Sequence, residues 1–97
     1  MKSITITQLS YVAAVSQTRN FGLAAQTCFV SQPTLSMQIQ KLEEDLGVIL
    51  FDRSKKPVEP TAMGQKIIEQ AQVVLQEAKR IEELIKEEKG EISGEFK

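Results

Sequence analysis

The 97-residue sequence contains no histidine, no tryptophan and a single cysteine, Cys28. Without histidine it cannot build the common His-containing zinc sites or a Ser-His-Asp triad. One cysteine cannot form an internal disulfide framework. The sequence also has no glycine-rich phosphate-binding loop and no converging pair of carboxylates. We therefore predict that the protein is not an enzyme and that it holds no metal and no cofactor.

Long hydrophobic runs are absent as well. No apolar segment approaches the roughly 20 residues of a membrane span, and the N-terminus lacks the basic and apolar regions of a signal peptide. We expect a cytoplasmic protein with no membrane partner. Its apolar content of 41% and charged content of 26% fit one small folded domain.

The net charge of −1 conceals an uneven distribution. Residues 1–57 carry six Lys or Arg and four Asp or Glu, a net charge of +2, whereas residues 58–97 carry six and nine, a net charge of −3. The first part can face an anionic partner while the second has another role.

The segment 30–47, VSQPTLSMQIQKLEEDLG, is predicted to form a helix. Ser31 is a suitable N-cap, Pro33 is tolerated in the first turn, and Gly47 ends the helix. One narrow apolar stripe follows the helical period, and it consists of Leu35, Ile39, Leu42 and Leu46. The opposite face carries amides, hydroxyls and few charges (Pro33, Ser36, Met37, Gln40, Lys41 and Glu44). Such side chains can pair with base edges in the major groove of DNA.

Two further helices are predicted before this one, over residues 7–18 and 23–28. The second and third predicted helices are joined by a turn of a few residues, which is the geometry of a helix-turn-helix. Residues 48–51 are then an apolar, β-prone run, and residues 58–60 can return as a second short strand. The hairpin resembles a wing, and its tip carries three cations, Arg53, Lys55 and Lys56, which we expect to contact phosphate or the minor groove.

The last predicted helix is long, covers residues 62–89 and is capped by Thr61. Apolar residues recur along it at alternating steps of four and three, which is a heptad repeat. They are Ile67, Ala71, Val74, Ala78, Ile81 and Ile85. We predict that this stripe is a dimerisation seam, with the first turns of the helix also packed on the first helix. We predict that residues 90–97 begin a further domain. The predicted division is therefore 1–60 for the winged helix-turn-helix, 61–89 for the dimerisation helix and 90–97 for the start of that domain.

These motifs together resemble those of a known family. The matching residues include Leu23-Ala24-Ala25, Val30 to Ser36, Leu42-Glu43, Leu50 to Arg53 and Thr61 to Gly64. They are similar to the winged helix-turn-helix and linker helix of LysR-type transcriptional regulators. Within that family, the segments 28–36 and 54–57 are most similar to the peroxide-responsive activators.

The resemblance implies a mainly α fold, a winged helix-turn-helix with a long dimerising helix, in a transcription regulator. The partners it implies are double-stranded DNA and a second copy, with a tetramer possible for the full-length protein. The predicted DNA-binding residues are Ser31, Gln32, Pro33, Thr34, Ser36, Met37, Gln40, Lys41, Arg53, Lys55 and Lys56. Many relatives carry Arg at position 37 and a basic residue at position 40. The departures at Met37 and Gln40 are therefore expected to alter sequence preference.

Two alternatives stay open at the level of sequence. The acids Glu43, Glu44 and Asp45 repel phosphate, which favours a protein-interaction module, unless they only hold the end of the third helix away from DNA. Cys28 could sense oxidants, although its setting between Thr27 and Phe29 fits a buried, inert thiol better.

Overall fold

The computed structural model describes residues 3–90, and within them it has four helices and one two-stranded hairpin. The elements are α1 (Ile6–Thr18), α2 (Phe21–Thr27), α3 (Gln32–Leu46), β1 (Phe51–Asp52), β2 (Glu59–Pro60) and α4 (Ala62–Lys89). The predicted fold, a mainly α winged helix-turn-helix followed by a long helix, is confirmed.

Local capping sets the start of the first two helices. The Thr5 side chain accepts from the backbone N–H of Gln8, whose amide oxygen accepts in return from the Thr5 N–H, which is a capping box. The Asn20 side chain caps α2 by accepting from the Leu23 N–H at 2.9 Å. The predicted start of this helix at residue 23 was therefore wrong. Asn20 acts as the N-cap rather than as a turn residue, and it brings Phe21 into the helix.

The third helix begins and ends as predicted. Ser31 is its N-cap, and Gly47 closes it with a φ of 74°, a left-handed conformation that glycine adopts at little cost. Leu35, Ile39 and Leu42 are fully buried, so the predicted apolar stripe faces the core.

The hairpin is shorter than the apolar run before it. Strands β1 and β2 are antiparallel, with Phe51 opposite Pro60 and Asp52 opposite Glu59. Leu50 and Phe51 are buried, and the Phe51 ring packs edge-on against Phe21 of α2 at a centroid distance of 6.1 Å. The wing is thus rooted in the same core as the helix-turn-helix.

Helix α4 has two different halves. Its first turns pack against α1, and Ile68 and Ala71 are buried there. Ile81 and Ile85 are 64% and 53% exposed. The molecule measures 54 × 29 × 21 Å, a long shape that follows from a helix of about 1.5 Å per residue projecting from a small core.

The long helix has the limits expected from the sequence. Its first turns pack on α1, as was also predicted. Gly90 is the C-cap of α4. The remainder of the predicted 90–97 segment lies outside the described residues. Within residues 3–90, no helix combines the length and apolarity needed to cross a membrane.

Candidate nucleic-acid interface

In the first turn of α3, some of the predicted contact residues are exposed to solvent and others form hydrogen bonds within the helix cap. The Ser31 hydroxyl oxygen accepts from the Thr34 N–H at 3.2 Å, and the Ser31 hydroxyl donates to the Thr34 hydroxyl at 2.9 Å. These two side chains therefore serve the helix cap first. Gln32 and Pro33, which lie between them, are exposed.

The outer face of α3 is exposed along most of its length. Met37 is 63% exposed, Gln40 and Lys41 are exposed, and Ser36 is half-buried. At 100° per residue Pro33, Met37 and Lys41 form one row, and Gln32, Ser36 and Gln40 form the row beside the wing. The structure thus brings the predicted α3 residues together on one side of one helix.

The wing tip contributes the cations. Lys55 and Lys56 are exposed, and within residues 3–90 neither forms a salt bridge. Arg53 differs from them. Its guanidinium donates to the Glu43 carboxylate at 3.2 Å and lies 4.8 Å from the centroid of the Phe21 ring. Its side chain is 38% exposed, so the structure engages Arg53 within the protein and leaves the two lysines open.

An open cleft connects these elements. It runs between the start of α2, the first half of α3 and the wing. Its lining includes Arg19, Asn20, Gln32, Ser36, Arg53 and Lys56. Side chains suited to base edges and side chains suited to phosphate therefore share one concave surface. The exposed face of α3 and the basic wing thus lie next to each other, on the same side of the molecule.

Arg19 at this cleft was not among the predicted site residues. It is exposed and ends α1 in a left-handed conformation, with a φ of 57°. Its carbonyl accepts from the Val58 N–H at 3.2 Å, which ties the end of α1 to the returning side of the wing. The only sequence evidence for a contact residue here was the Arg-Asn pair after a predicted helix. Such a pair is better evidence for a turn than for a binding site.

The interpretation of Glu43 as a surface acid was wrong. Its side chain is only 4% exposed. One carboxylate oxygen accepts from the backbone N–H groups of Leu50 and Phe51 at 2.8 and 3.4 Å, and the other accepts from Arg53. A carboxylate with three donors, one of them a guanidinium, is bound inside the protein and is not a free surface acid. The argument for a protein-interaction module loses this residue, and Glu44 is left as an exposed acid beside it.

Two groups near the interface have shifted pKa values. The side-chain and backbone hydrogen bonds from Ser54 lower the pKa of Asp52 at the wing. Burial raises the pKa of the half-buried Cys28 thiol, which lowers the thiolate fraction at neutral pH. Cys28 is thus less buried than the sequence predicted, whereas the raised pKa disfavours the reactive thiolate.

Residues 6–65 match the model of bacterial regulatory helix-turn-helix proteins of the lysR family. The chain belongs to the LysR family. It is 42% identical over 91 residues to the hydrogen peroxide-inducible genes activator of Haemophilus influenzae, a match that covers 94% of this chain and 30% of that protein. The chain thus spans about a third of the length of such LysR relatives.

Solved structures give the same family. Full-length OxyR from Pseudomonas aeruginosa, as a single-site variant, is 48% identical with a TM-score of 0.83, over 87% of this chain and 28% of that one. The DNA-binding domain of BenM in complex with catB site 1 DNA is 30% identical with a TM-score of 0.84, over 94% and 99%. The LysR fold of this chain and its similarity to OxyR are therefore established on independent grounds.

Proposed function

We propose that this chain binds double-stranded DNA as a homodimer and is the DNA-binding part of a peroxide-responsive transcription activator. The observation that carries the proposal is the concave surface on which Gln32 and Ser36 of α3 meet the cationic wing. In this arrangement the first half of α3 lies in the major groove. Lys55 and Lys56 contact the sugar-phosphate backbone. The named relatives support the peroxide-responsive part of the proposal.

The α3 contacts divide into two kinds. Gln32 has an amide that can pair with two atoms of an adenine edge. Met37 has no hydrogen-bond donor, so its contact is with the methyl group of a thymine. An arginine at this position would favour guanine instead, and the preference of this protein should differ accordingly from relatives with that residue.

The first experiment is selection of duplexes from a random library, followed by binding of the 97-residue chain at several salt concentrations. Replacing Gln32 with Ala should relax the preference at one base pair at a cost of about 1–3 kcal/mol. Lys56→Ala should weaken binding to all DNA sequences alike, and it should reduce the slope of log affinity against log salt concentration (the salt slope) by about 0.9. Lys79→Ala, which removes the same charge from exposed α4, is the matched control. Failure to bind any duplex even at low salt would contradict the proposal.

For the dimer we propose the second half of α4 as the main contact. Of the predicted seam, Ile81 and Ile85 are exposed, and Leu84 beside them is exposed as well. Ala71 is buried within the chain, and Ile67, Val74 and Ala78 are half-buried. Ile81 and Ile85 are therefore the seam residues with the most surface free for a partner, with Leu84 beside them.

Sedimentation of Ile81→Asp tests this seam. A carboxylate in an apolar interface is strongly disfavoured, so we expect a shift from dimer to monomer. Gln76→Asp introduces the same charge on the other side of α4 and should leave the dimer intact. A dimer that persists in Ile81→Asp would place the interface elsewhere.

The peroxide response can be tested in cells. A reporter gene controlled by the selected duplex should be induced by hydrogen peroxide in cells that contain the proposed regulator, and not in cells that lack it. A reporter that hydrogen peroxide does not induce when the regulator is present would refute this part while leaving DNA binding untouched.

A further inference from the structure

The wing is fastened to α3 by one buried side chain. Glu43 accepts from the N–H groups of Leu50 and Phe51, at the point where the chain enters β1. Its other oxygen accepts from Arg53, two residues further along the wing. One carboxylate therefore holds both the backbone and a side chain of the wing against the helix that carries the proposed base contacts.

This arrangement is not what helix stability alone would favour. Glu43 lies in the last turn of α3, where the helix dipole disfavours a negative charge. It is also almost completely buried, and burying a carboxylate costs free energy unless donors replace its water. The three donors, all from the segment 50–53, replace that water. The position of the segment and the burial of the Glu43 side chain thus depend on each other.

Arg53 extends the same link to α2. Its guanidinium lies over the Phe21 ring at 4.8 Å, and Phe21 in turn meets Phe51 of β1 edge-on. A guanidinium over an aromatic face is attracted by the ring. Arg53 is thereby held from two sides, by α3 and by α2, at the base of the exposed Lys55 and Lys56.

We infer that Glu43 and Arg53 are positioning residues for DNA binding, which fix the wing so that Lys55 and Lys56 reach phosphates while α3 occupies the major groove. The inference rests on the proposed function. It changes the role of Arg53 from a predicted phosphate contact to the link between the wing and the helix-turn-helix.

The direction in which one substitution changes the affinity for DNA distinguishes this positioning role from a purely electrostatic effect. Glu43→Gln removes a negative charge close to the interface. If charge alone mattered, it would tighten binding to DNA. If Glu43 positions the wing, it should weaken binding, because a neutral amide accepts less strongly and its NH₂ group faces donors. Glu44→Gln makes the same charge change at the neighbouring exposed position and serves as the matched control.

The measurement is the affinity of each variant for a selected duplex between about 50 and 200 mM salt. Each lysine that leaves its phosphate should cost roughly tenfold at 0.1 M salt and flatten the salt slope by about 0.9. We expect Glu43→Gln to bind more weakly than wild type with a flatter slope, and Glu44→Gln to bind at least as tightly as wild type. In a Lys55→Ala/Lys56→Ala background, Glu43→Gln should change affinity little, since the contacts it positions are already gone.

Other outcomes overturn the inference. Equal behaviour of Glu43→Gln and Glu44→Gln would show that only charge matters. Weaker binding with an unchanged slope would indicate partial unfolding, which circular dichroism at the assay temperature detects independently. Absence of binding by the wild-type chain would instead refute the proposed function itself, so the two failures are distinguishable.

Arg53→Met provides a second route if Glu43→Gln does not fold, because it leaves Glu43 its two backbone donors. If Arg53 is a positioning residue, Arg53→Met should flatten the salt dependence of the affinity by more than the slope of about 0.9 that one lost cation gives. In the Lys55→Ala/Lys56→Ala background it should change that slope hardly at all. A change equal to one contact in both backgrounds would return Arg53 to the role of phosphate ligand.

Discussion

Gly64, at the start of α4, is the position where the smallest possible addition should be most damaging. A Cβ built on it would lie 1.9 Å from the carbonyl oxygen of Leu50 and 2.8 Å from the carbonyl carbon. Both are backbone atoms, so no side-chain rotation can relieve the contact. The same carbonyl accepts from the Thr61 N–H at 2.9 Å, and this hydrogen bond joins the start of the wing to the start of α4.

The expected magnitude follows from these contacts. Separating α4 from residue 50 by more than 1 Å costs about 1–3 kcal/mol in overpacking, and loss of the Thr61 hydrogen bond costs about 1 kcal/mol. Alanine is better than glycine in a helix by at most about 1 kcal/mol. Gly64→Ala should therefore reduce the free energy of unfolding by about 2 kcal/mol. In a domain of this size that lowers the Tm by roughly 8–16 °C.

Gly22→Ala is the matched control, because it makes the same change in the first turn of α2. A Cβ there would meet only the ends of the Asn20 and Gln32 side chains, at 3.2 and 3.4 Å. The Gln32 side chain can move away, and the Asn20 cap needs to shift by only a few tenths of an ångström. We expect a change within about 0.5 kcal/mol. Urea unfolding followed by circular dichroism, at one fixed protein concentration because dimerisation adds stability, measures both. Equal stability of the two variants would refute the reasoning from close approach.

Three further substitutions test local features of the fold. Phe29 is 93% exposed and has a φ of 59°, so Phe29→Asn should raise the free energy of unfolding in urea by about 0.5–1 kcal/mol, since asparagine tolerates the left-handed region better. Thr61 accepts from the Gly64 N–H and donates to the Ile49 carbonyl, so Thr61→Ala should cost about 1–2 kcal/mol in the same assay. Ser54→Ala should raise the pKa of Asp52 towards 3.8, as followed by NMR titration. Because the folded-state pKa is lowered, the Ser54 bonds stabilise the fold above the ordinary Asp pKa, and this contribution is lost as pH falls through the folded-state pKa.

The helices of this protein could be predicted because their signals are local. Ser31 with Pro33, Thr61, and the glycines at positions 47 and 90 each fix one end of a helix through atoms only a few residues away. The start of α2 was missed because Asn20 has two local uses. An Asn followed by Phe-Gly fits a turn as well as an N-cap, and what distinguishes them is the packing of Phe21 on Phe51, thirty residues away.

The heptad of α4 shows a different limit. Its period predicts a helix with one apolar side, but it cannot say how the apolar side chains are divided between two partners. Ala71 of the heptad is buried, as is Ile68 beside the heptad, because α1 lies against them. Ile81 and Ile85 have the same chemistry and remain exposed because α4 continues past the end of the core.

Glu43 and Glu44 show most clearly what the sequence alone does not predict, because they are chemically identical neighbours with different roles. A turn of about 100° separates them on α3. It puts one carboxylate under the N–H groups of Leu50 and Phe51 and leaves the other exposed. The helical period places Glu43 beside the apolar stripe and Glu44 on the opposite face. It does not contain the donors that meet the Glu43 carboxylate, because these depend on where the chain returns after Gly47. Glu43 is therefore bound inside the protein, and it is the residue that we infer positions the wing.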